Sequence, residues 1–299
     1  MKSSHLTSLA ASTFALLAAA CSCAMPHDAT PSTTPMAAVS GTASQPCDTT
    51  IANLNATLWM QSSAEYRAIV REIYNTAART LDAALADPSW TAADEQTAPA
   101  NTLPPAIVLD LDETALDTSA FQARMIKTSK PFTEPRWHDF ALEGSSLAIP
   151  EAVDFLNIAQ KRNVAIFYVT NRVKTEKEAL LRNLRALGFP NVSEESVLLR
   201  GERPEWETGD KSPRRAFIAQ RYRVMMLLGD DLNDFAPAAG KSLQERSDIV
   251  RAHTDWLGTR WFVIPNPSYG SWQRASIYGQ AKTDLCGEMQ QAIQTLRSK

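Results

Sequence analysis

The chain has 299 residues, 44% of them hydrophobic, and a formal charge of −3. That length holds one large α/β domain or two small ones. Neither the charge balance nor any basic run suits a nucleic-acid polymer as partner.

Met1-Lys2-Ser3-Ser4-His5 is polar with one positive charge, and residues 9–20 form an apolar run ending in small side chains. The run is too short to span a bilayer with comfort and fits the core of a secretory signal over residues 1–20. It ends Leu17-Ala18-Ala19-Ala20-Cys21, which resembles a bacterial lipoprotein cleavage box with Cys21 as the lipid-modified first residue. Ala18 stands where such boxes usually carry Leu, and ordinary cleavage after a small residue is the alternative. Either route takes the mature protein out of the cytoplasm. Residues 21–50 hold much Pro, Ser, Thr and Ala, bury no core, and read as a flexible tether. Residues 51–299 are the folded domain. Outside the cytoplasm Cys47 and Cys286 can close a disulfide pinning its two ends, worth roughly 4–5 kcal/mol in the chain-entropy model. No Cys/His spacing suggests zinc.

Residues 52–85 are helix-rich, with Ile69, Val70, Ile73 and Tyr74 recurring three and four apart. Trp59 and Tyr66 read as core there, and residues 87–105 as a polar connection. Ile107-Val108-Leu109-Asp110-Leu111-Asp112-Glu113-Thr114 reads as a buried strand carrying two carboxylates out at its C-terminal end. A period of two turns Asp110 and Asp112 toward one site, where two anions need a cation or a proton between them. Residues 115–149 then break the strand–helix alternation. They mix Phe121, Met125, Phe132, Trp137 and Phe140 with polar residues, and an insertion at that place sits as a lid over the strand ends. The cap elements are 51–85 and 115–149.

Alternation resumes with a helix over 151–161 and a buried strand over 164–169 that runs into Thr170-Asn171-Arg172. A helix over 176–187, a short strand over 197–199, a basic helix over 211–221 and a strand over 224–228 follow. The last of these delivers Gly229-Asp230-Asp231-Leu232-Asn233-Asp234, and a strand over 261–264 leads into Pro265-Asn266-Pro267-Ser268-Tyr269-Gly270-Ser271-Trp272. The pattern predicts an α/β three-layer sandwich on a mostly parallel sheet, whose ligand lies at the carboxyl ends of the strands. There the sequence gathers Asp110, Asp112, Thr170, Asn171, Lys211, Asp230 and Asp234. Carboxylates without His or Cys favour a hard cation, and Mg²⁺ suits a site that also holds phosphate. An ionised aspartate can attack phosphorus to give an aspartyl phosphate, and a second can protonate the leaving oxygen and then activate water. Glu113 reads as a cap, Arg172 and Arg214 as members of surface ion pairs, and the four His residues, His138 among them, carry no assignment.

Asp-Leu-Asp-Glu-Thr, the strand ending Thr170-Asn171-Arg172, the downstream Lys211 and Gly-Asp-Asp-Leu-x-Asp-Phe resemble the four motifs of the haloacid-dehalogenase (HAD) superfamily. Glu113-Thr114 and Phe235 look like its class C acid phosphatases, the outer-membrane lipoprotein e or 5′-nucleotidase group. The likeness spans roughly residues 53–280, including Leu58-Trp59-x-Gln61-x-Ser63-x-Glu65-Tyr66 and Pro265-Asn266-Pro267-x-Tyr269-Gly270-x-Trp272. It implies a HAD-like Rossmannoid fold with a small helical cap. Asp110 would be the nucleophile and a metal ligand, and Asp112 the acid/base, reaching the metal through its backbone carbonyl. Asp230 would complete the Mg²⁺ site with Asp234 supporting it, and Thr170, Asn171 and Lys211 would hold phosphate. Substrates would be nucleoside monophosphates, nicotinamide mononucleotide and aryl phosphates, with Trp137, Tyr269 and Trp272 as stacking candidates. The sequence departs from the pattern at Ala115, Phe121, Met225 and Asp231, the last adding a charge beside the metal site that tightens metal binding or raises a neighbour's pKa. The expected protein is a lipid-anchored outer-membrane or periplasmic acid phosphatase of a Gram-negative bacterium, with a homodimer admitted. The alternatives are a non-catalytic binding lipoprotein, for haem for example, and a phosphotransferase using the same intermediate.

Overall fold

A computed structural model describes residues 51–276 and 285–298. The signal, the tether, Cys21 and Cys47 lie outside the described residues, and so does any Cys47–Cys286 pairing. The chain opens with α1 (Leu54–Ser62) and α2 (Ala64–Ala86), separated at Ser63, which is extended and caps α2 by accepting from the Tyr66 amide at 3.0 Å. Next come β1 (Pro105–Leu109), β2 (Leu116–Asp117), α3 (Ser119–Thr128), α4 (Glu134–Glu143) and β3 (Leu147–Ala148). After α5 (Ala152–Lys161) follow β4 (Ala165–Val173), α6 (Lys177–Ala186), β5 (Val197–Arg200), α7 (Ser212–Ala219) and β6 (Arg223–Gly229). The remainder is α8 (Leu243–Ala252), β7 (Trp261–Val263), α9 (Ser271–Ser276) and α10 (Leu285–Thr295). No helix among the described residues is long and apolar enough to cross a membrane.

The five long strands form one parallel sheet in the order β5-β4-β1-β6-β7. The period of two divides β1 between two cores. Ile107 and Leu109 face a cluster with Val70, Tyr74, Leu81, Phe155 and Leu184, whereas Ala106 and Val108 face one with Trp206, Ile218, Phe235 and Trp261. Helices therefore cover both faces, as buried parallel strands require. Of the N-terminal helices, α1 is tied to the insertion, Gln61 donating to Ser119 at 3.0 Å and Asn53 to Gln122 at 2.9 Å. α2 lies in the sheet-covering layer beside α5, because its stripe Val70, Tyr74, Ala77, Leu81 and Ala84 is fully apolar.

The 87–105 connection is less polar in place than in sequence. Ala92 and Ala93 are buried, and the Ala92 amide donates to the Val224 carbonyl at 2.7 Å. The insertion pairs β2 with β3 antiparallel, and its α4 lies against the end of β4, where Trp137 meets Arg172 and His138 meets Glu176. α4 stops at Gly144, where φ is +59° and a Cβ would lie 2.9 Å from the Ala179 carbonyl oxygen, so glycine is required twice over. The chain leaves β1 for β4 and β5 on one side, then returns to β6 and β7 on the other. That reversal opens a crevice at the carboxyl end of β1.

Candidate active site

Leu109 pairs with Tyr168 of β4 and Leu228 of β6, which brings Asp110, Thr170 and Asp230 to neighbouring strand ends. The strand stops at Leu109, earlier than its apolar–polar alternation predicts. Beyond it the Leu111 carbonyl accepts from the amides of Thr114, Ala115 and Leu116, and Glu113 takes a left-handed φ of 57°. This tight loop separates the two aspartates expected to face one way. Asp110 turns to Lys211, whereas Asp112 turns to Arg172, which donates to it from Nε at 3.1 and 3.2 Å and from Nη2 at 2.7 Å.

Lys211 precedes α7 and is buried. Its ammonium bridges Asp110 and Asp234, the latter at 2.6 Å. Asp234 also accepts from the Asp231 amide at 3.0 Å, and Arg215 donates to the carbonyls of Asn233 and Asp234, each at 3.0 Å. Asn266 donates to Asp230 at 2.8 Å. Carboxylate oxygens of Asp110, Asp230 and Asp234 lie within 4.8 Å of one another. Burial raises the pKa of all three. For Asp110 it outweighs Lys211; for Asp230 the charges of Asp110 and Asp234 add to it; Asp234 is pushed up to about 7. Three carboxylates crowd around one ammonium, and the ligand atoms they offer are all oxygen. An oxygen-only cluster of this kind fits a hard divalent cation.

Thr170 is buried, and its hydroxyl oxygen accepts from the Arg172 amide at 3.1 Å, leaving its own proton to donate. Asn171 is exposed, held by Arg214 Nη2 at 2.7 Å and by donating to the Gly209 carbonyl at 3.0 Å. Arg172 and Arg214 are therefore not surface groups. They are 2% and 0% exposed, and Arg214 also donates to the Thr170 carbonyl. Asp231 raises a neighbour's pKa, one of the two effects expected of it, and also braces the site. Its carboxylate accepts from the Asn233 amide at 2.9 Å and from the Ser271 amide and hydroxyl at 2.6 Å, tying the loop before α9 to β6, while its charge helps raise Asp234.

Glu113, fully buried, accepts from the Thr118 amide at 3.0 Å and from the Thr118 and Tyr269 hydroxyls. Burial, then the charge of Asp112, pushes its pKa up to about 8. Tyr269, on the loop before α9, and Trp272, in the first turn of α9, are half-buried, the Trp272 indole donating to the Tyr269 carbonyl at 3.1 Å. Trp137 lies across the crevice in the insertion, edge-on to Phe121 and with Arg172 5.3 Å from its ring centre. Phe121 is buried in that aromatic group, Ala115 and Met225 in the main core. Arg215 and Asn266 were not singled out from sequence. The signal for Arg215 was its place four residues after Lys211, one turn on along the same helix face.

A family model described as HAD superfamily, subfamily IIIB (Acid phosphatase), matches residues 13–272. The chain belongs to this family. It is similar to the class C acid phosphatase from Bacillus anthracis, at 32% identity and a TM-score of 0.74, over 85% of this chain and 100% of that one. The crystal structure of the Bacillus anthracis class C acid phosphatase with tungstate bound matches with 33% identity, the same coverage and the same TM-score. The protein is thus an acid phosphatase, a phosphomonoester hydrolase, built on a HAD fold.

Proposed function

We propose that the protein is a Mg²⁺-dependent acid phosphatase of the 5′-nucleotidase type. It would hydrolyse nucleoside monophosphates, nicotinamide mononucleotide and aryl phosphates through an aspartyl phosphate on Asp110. The observation that carries this reading is the buried Asp110 at the end of the central strand, bridged by Lys211 to Asp234 beside Asp230. That the similar Bacillus anthracis enzyme binds tungstate, a tetrahedral oxyanion, supports a phosphoryl group as ligand. Asp110 and Asp230 would hold the Mg²⁺ with the Asp112 backbone carbonyl, and Asp234 would support them from beside the ion. Bound there, the ion offsets the charge of the carboxylates and of the phosphoryl oxygens.

An Asp110 oxygen bonds to phosphorus as the ester P–O bond breaks, and Asp112 gives its proton to the departing oxygen. Asp112 then takes a proton from water as the water oxygen displaces Asp110. The Thr170 hydroxyl, Asn171 and Lys211 hold the outer oxygens while negative charge develops on them. Tyr269 and Trp272 offer ring faces for the leaving group, and Trp137 closes the crevice from the insertion. If an alcohol replaces water in the second step, the same site is a phosphotransferase. The leader points to a lipid anchor at Cys21 and a location outside the cytoplasm, which intact mass of the membrane fraction tests.

The function is tested by phosphate release from nucleoside monophosphates, nicotinamide mononucleotide and an aryl phosphate, with Mg²⁺ or chelator, for wild type and Asp110→Asn. Metal-dependent turnover lost in the variant is the expected result. Turnover surviving in Asp110→Asn would end the aspartyl-phosphate reading.

A further inference from the structure

Asp112 sits on the 110–116 loop, off the rigid sheet, and the only hydrogen bonds its carboxylate makes among the described residues come from Arg172. Arg172 is fixed three ways. Its side chain is 1% exposed, its own amide donates to the Thr170 hydroxyl, and its guanidinium lies against Trp137 of α4. The next residue along α4 makes a second tie to the same strand end. His138 Nδ1 is 3.0 Å from Glu176, whose other carboxylate oxygen accepts from the Val173 amide at 3.2 Å.

We propose that Arg172, backed by Trp137, is a positioning residue that aims the Asp112 carboxyl group at the departing oxygen of the ester. The inference rests on the acid/base role proposed above for Asp112. The two shorter contacts, Nη2 at 2.7 Å and Nε at 3.1 Å, both fall on Oδ1, and Oδ2 receives only the 3.2 Å contact. Oδ1 is thereby held as acceptor, and Oδ2 is the oxygen that carries the proton to the leaving group and later takes one from water. Lysine cannot reproduce the planar fork that sets this orientation. The lid helix α4, by holding Arg172, takes part in setting the acid without touching the phosphoryl group.

Proton donation matters most when the leaving oxygen is strongly basic. The test is therefore a series of phosphate monoesters running from 4-nitrophenyl phosphate, whose leaving group departs without a proton, to phenyl phosphate and a nucleoside monophosphate, with the Mg²⁺-loaded full chain. Arg172→Lys and Arg172→Gln should lower kcat about 10–100-fold for the nucleoside ester but less than about threefold for the nitrophenyl ester, a part of the roughly 10²–10⁴-fold that a general acid supplies, because the variants misalign the acid without removing it. Trp137→Leu, which leaves Arg172 in place and so keeps the test available if the Arg172 variants fold poorly, should shift the series the same way by about two- to fivefold. In an Asp112→Asn background, Arg172→Gln should cost nothing further on the nucleoside ester. A uniform loss across the series in the Arg172 and Trp137 variants, beside a steep one in Asp112→Asn, would overturn the inference and leave the acid assignment standing. A flat series in Asp112→Asn would overturn the acid assignment itself and the inference with it.

Discussion

Gly229 closes β6 at the point where Asp234 folds back over the strand end, and Gly229→Ala puts this packing to the test. A Cβ there would lie 2.3 Å from both Cβ and Oδ2 of Asp234 and 2.6 Å from its Cγ. These separations are far inside contact distance, and one of the atoms met is a Cβ, which rotation of the side chain cannot remove. The short helical turn 232–234 must shift, pulling Asp234 from Lys211 at 2.6 Å and from the Asp231 amide at 3.0 Å. Overpacking costs about 1–3 kcal/mol and loss of a charge-assisted hydrogen bond about 1.5–3 kcal/mol, so the variant should be about 2.5–6 kcal/mol less stable. For a domain of this size that is a fall in Tm on the order of 10 °C. Mg²⁺ affinity, read by calorimetric titration, should weaken roughly 10–100-fold, as when the partner of a metal ligand is disturbed. Gly209→Ala is the control, its Cβ meeting Asn171 at an ordinary 3.5 Å. Wild-type Tm and metal affinity in Gly229→Ala would refute the reasoning, because they would mean that Asp234 can leave this position at no cost.

Arg214→Gln removes the donor shared by the Thr170 carbonyl, Asn171 and the Asp210 carbonyl. Leaving such groups unpaired costs about 1–3 kcal/mol each when buried, and KM for phosphate esters should rise because Thr170 and Asn171 lose their support. Arg214→Lys should not restore KM; if it does, the fork geometry is irrelevant. Asp231→Ala frees Ser271 and the segment carrying Tyr269 and Trp272, so KM should rise severalfold with Mg²⁺ affinity little changed; calorimetry showing a large change in affinity would assign Asp231 to the metal site. In metal-free protein the native pKa values of Asp234 and Glu113, about 7 and 8, lie above the usual carboxylate range because burial penalises the charged form. The native state then binds more protons than the unfolded chain, and stability must fall as pH rises from about 4 to about 8. Thermal unfolding in chelator should accordingly show Tm climbing as the pH is lowered from 8 to 5. Saturating Mg²⁺ should flatten that slope, and a Tm that falls over the same interval would contradict it.

The five strands of the sheet were legible because buried parallel strands are written as apolar runs, and the rule that ligands gather at their carboxyl ends located Asp110, Thr170 and Asp230 from one chain. Helix α8 was missed although its start carries a capping box, Ser242 accepting from the Glu245 amide while Glu245 accepts in return. The period of two failed at Asp112 for a local reason. Alternation describes only an extended chain, and the left-handed Glu113 ends the extension while the residue types continue the pattern.

The buried arginines were hidden by something else. A lone Arg in a sequence is sensibly placed at the surface, since a buried charge requires a partner, and the partners here are remote in the chain. Asp112 lies 60 residues from Arg172, and the Thr170 carbonyl 44 from Arg214. Only the closing of the sheet brings each pair together. Once it closes, the cost of leaving such a guanidinium unpaired makes each arginine a constraint on the strand end it grips. Motif residues mark where chemistry is offered, whereas the charges that aim them follow from the topology, so the arginines are where variants should separate binding from proton transfer.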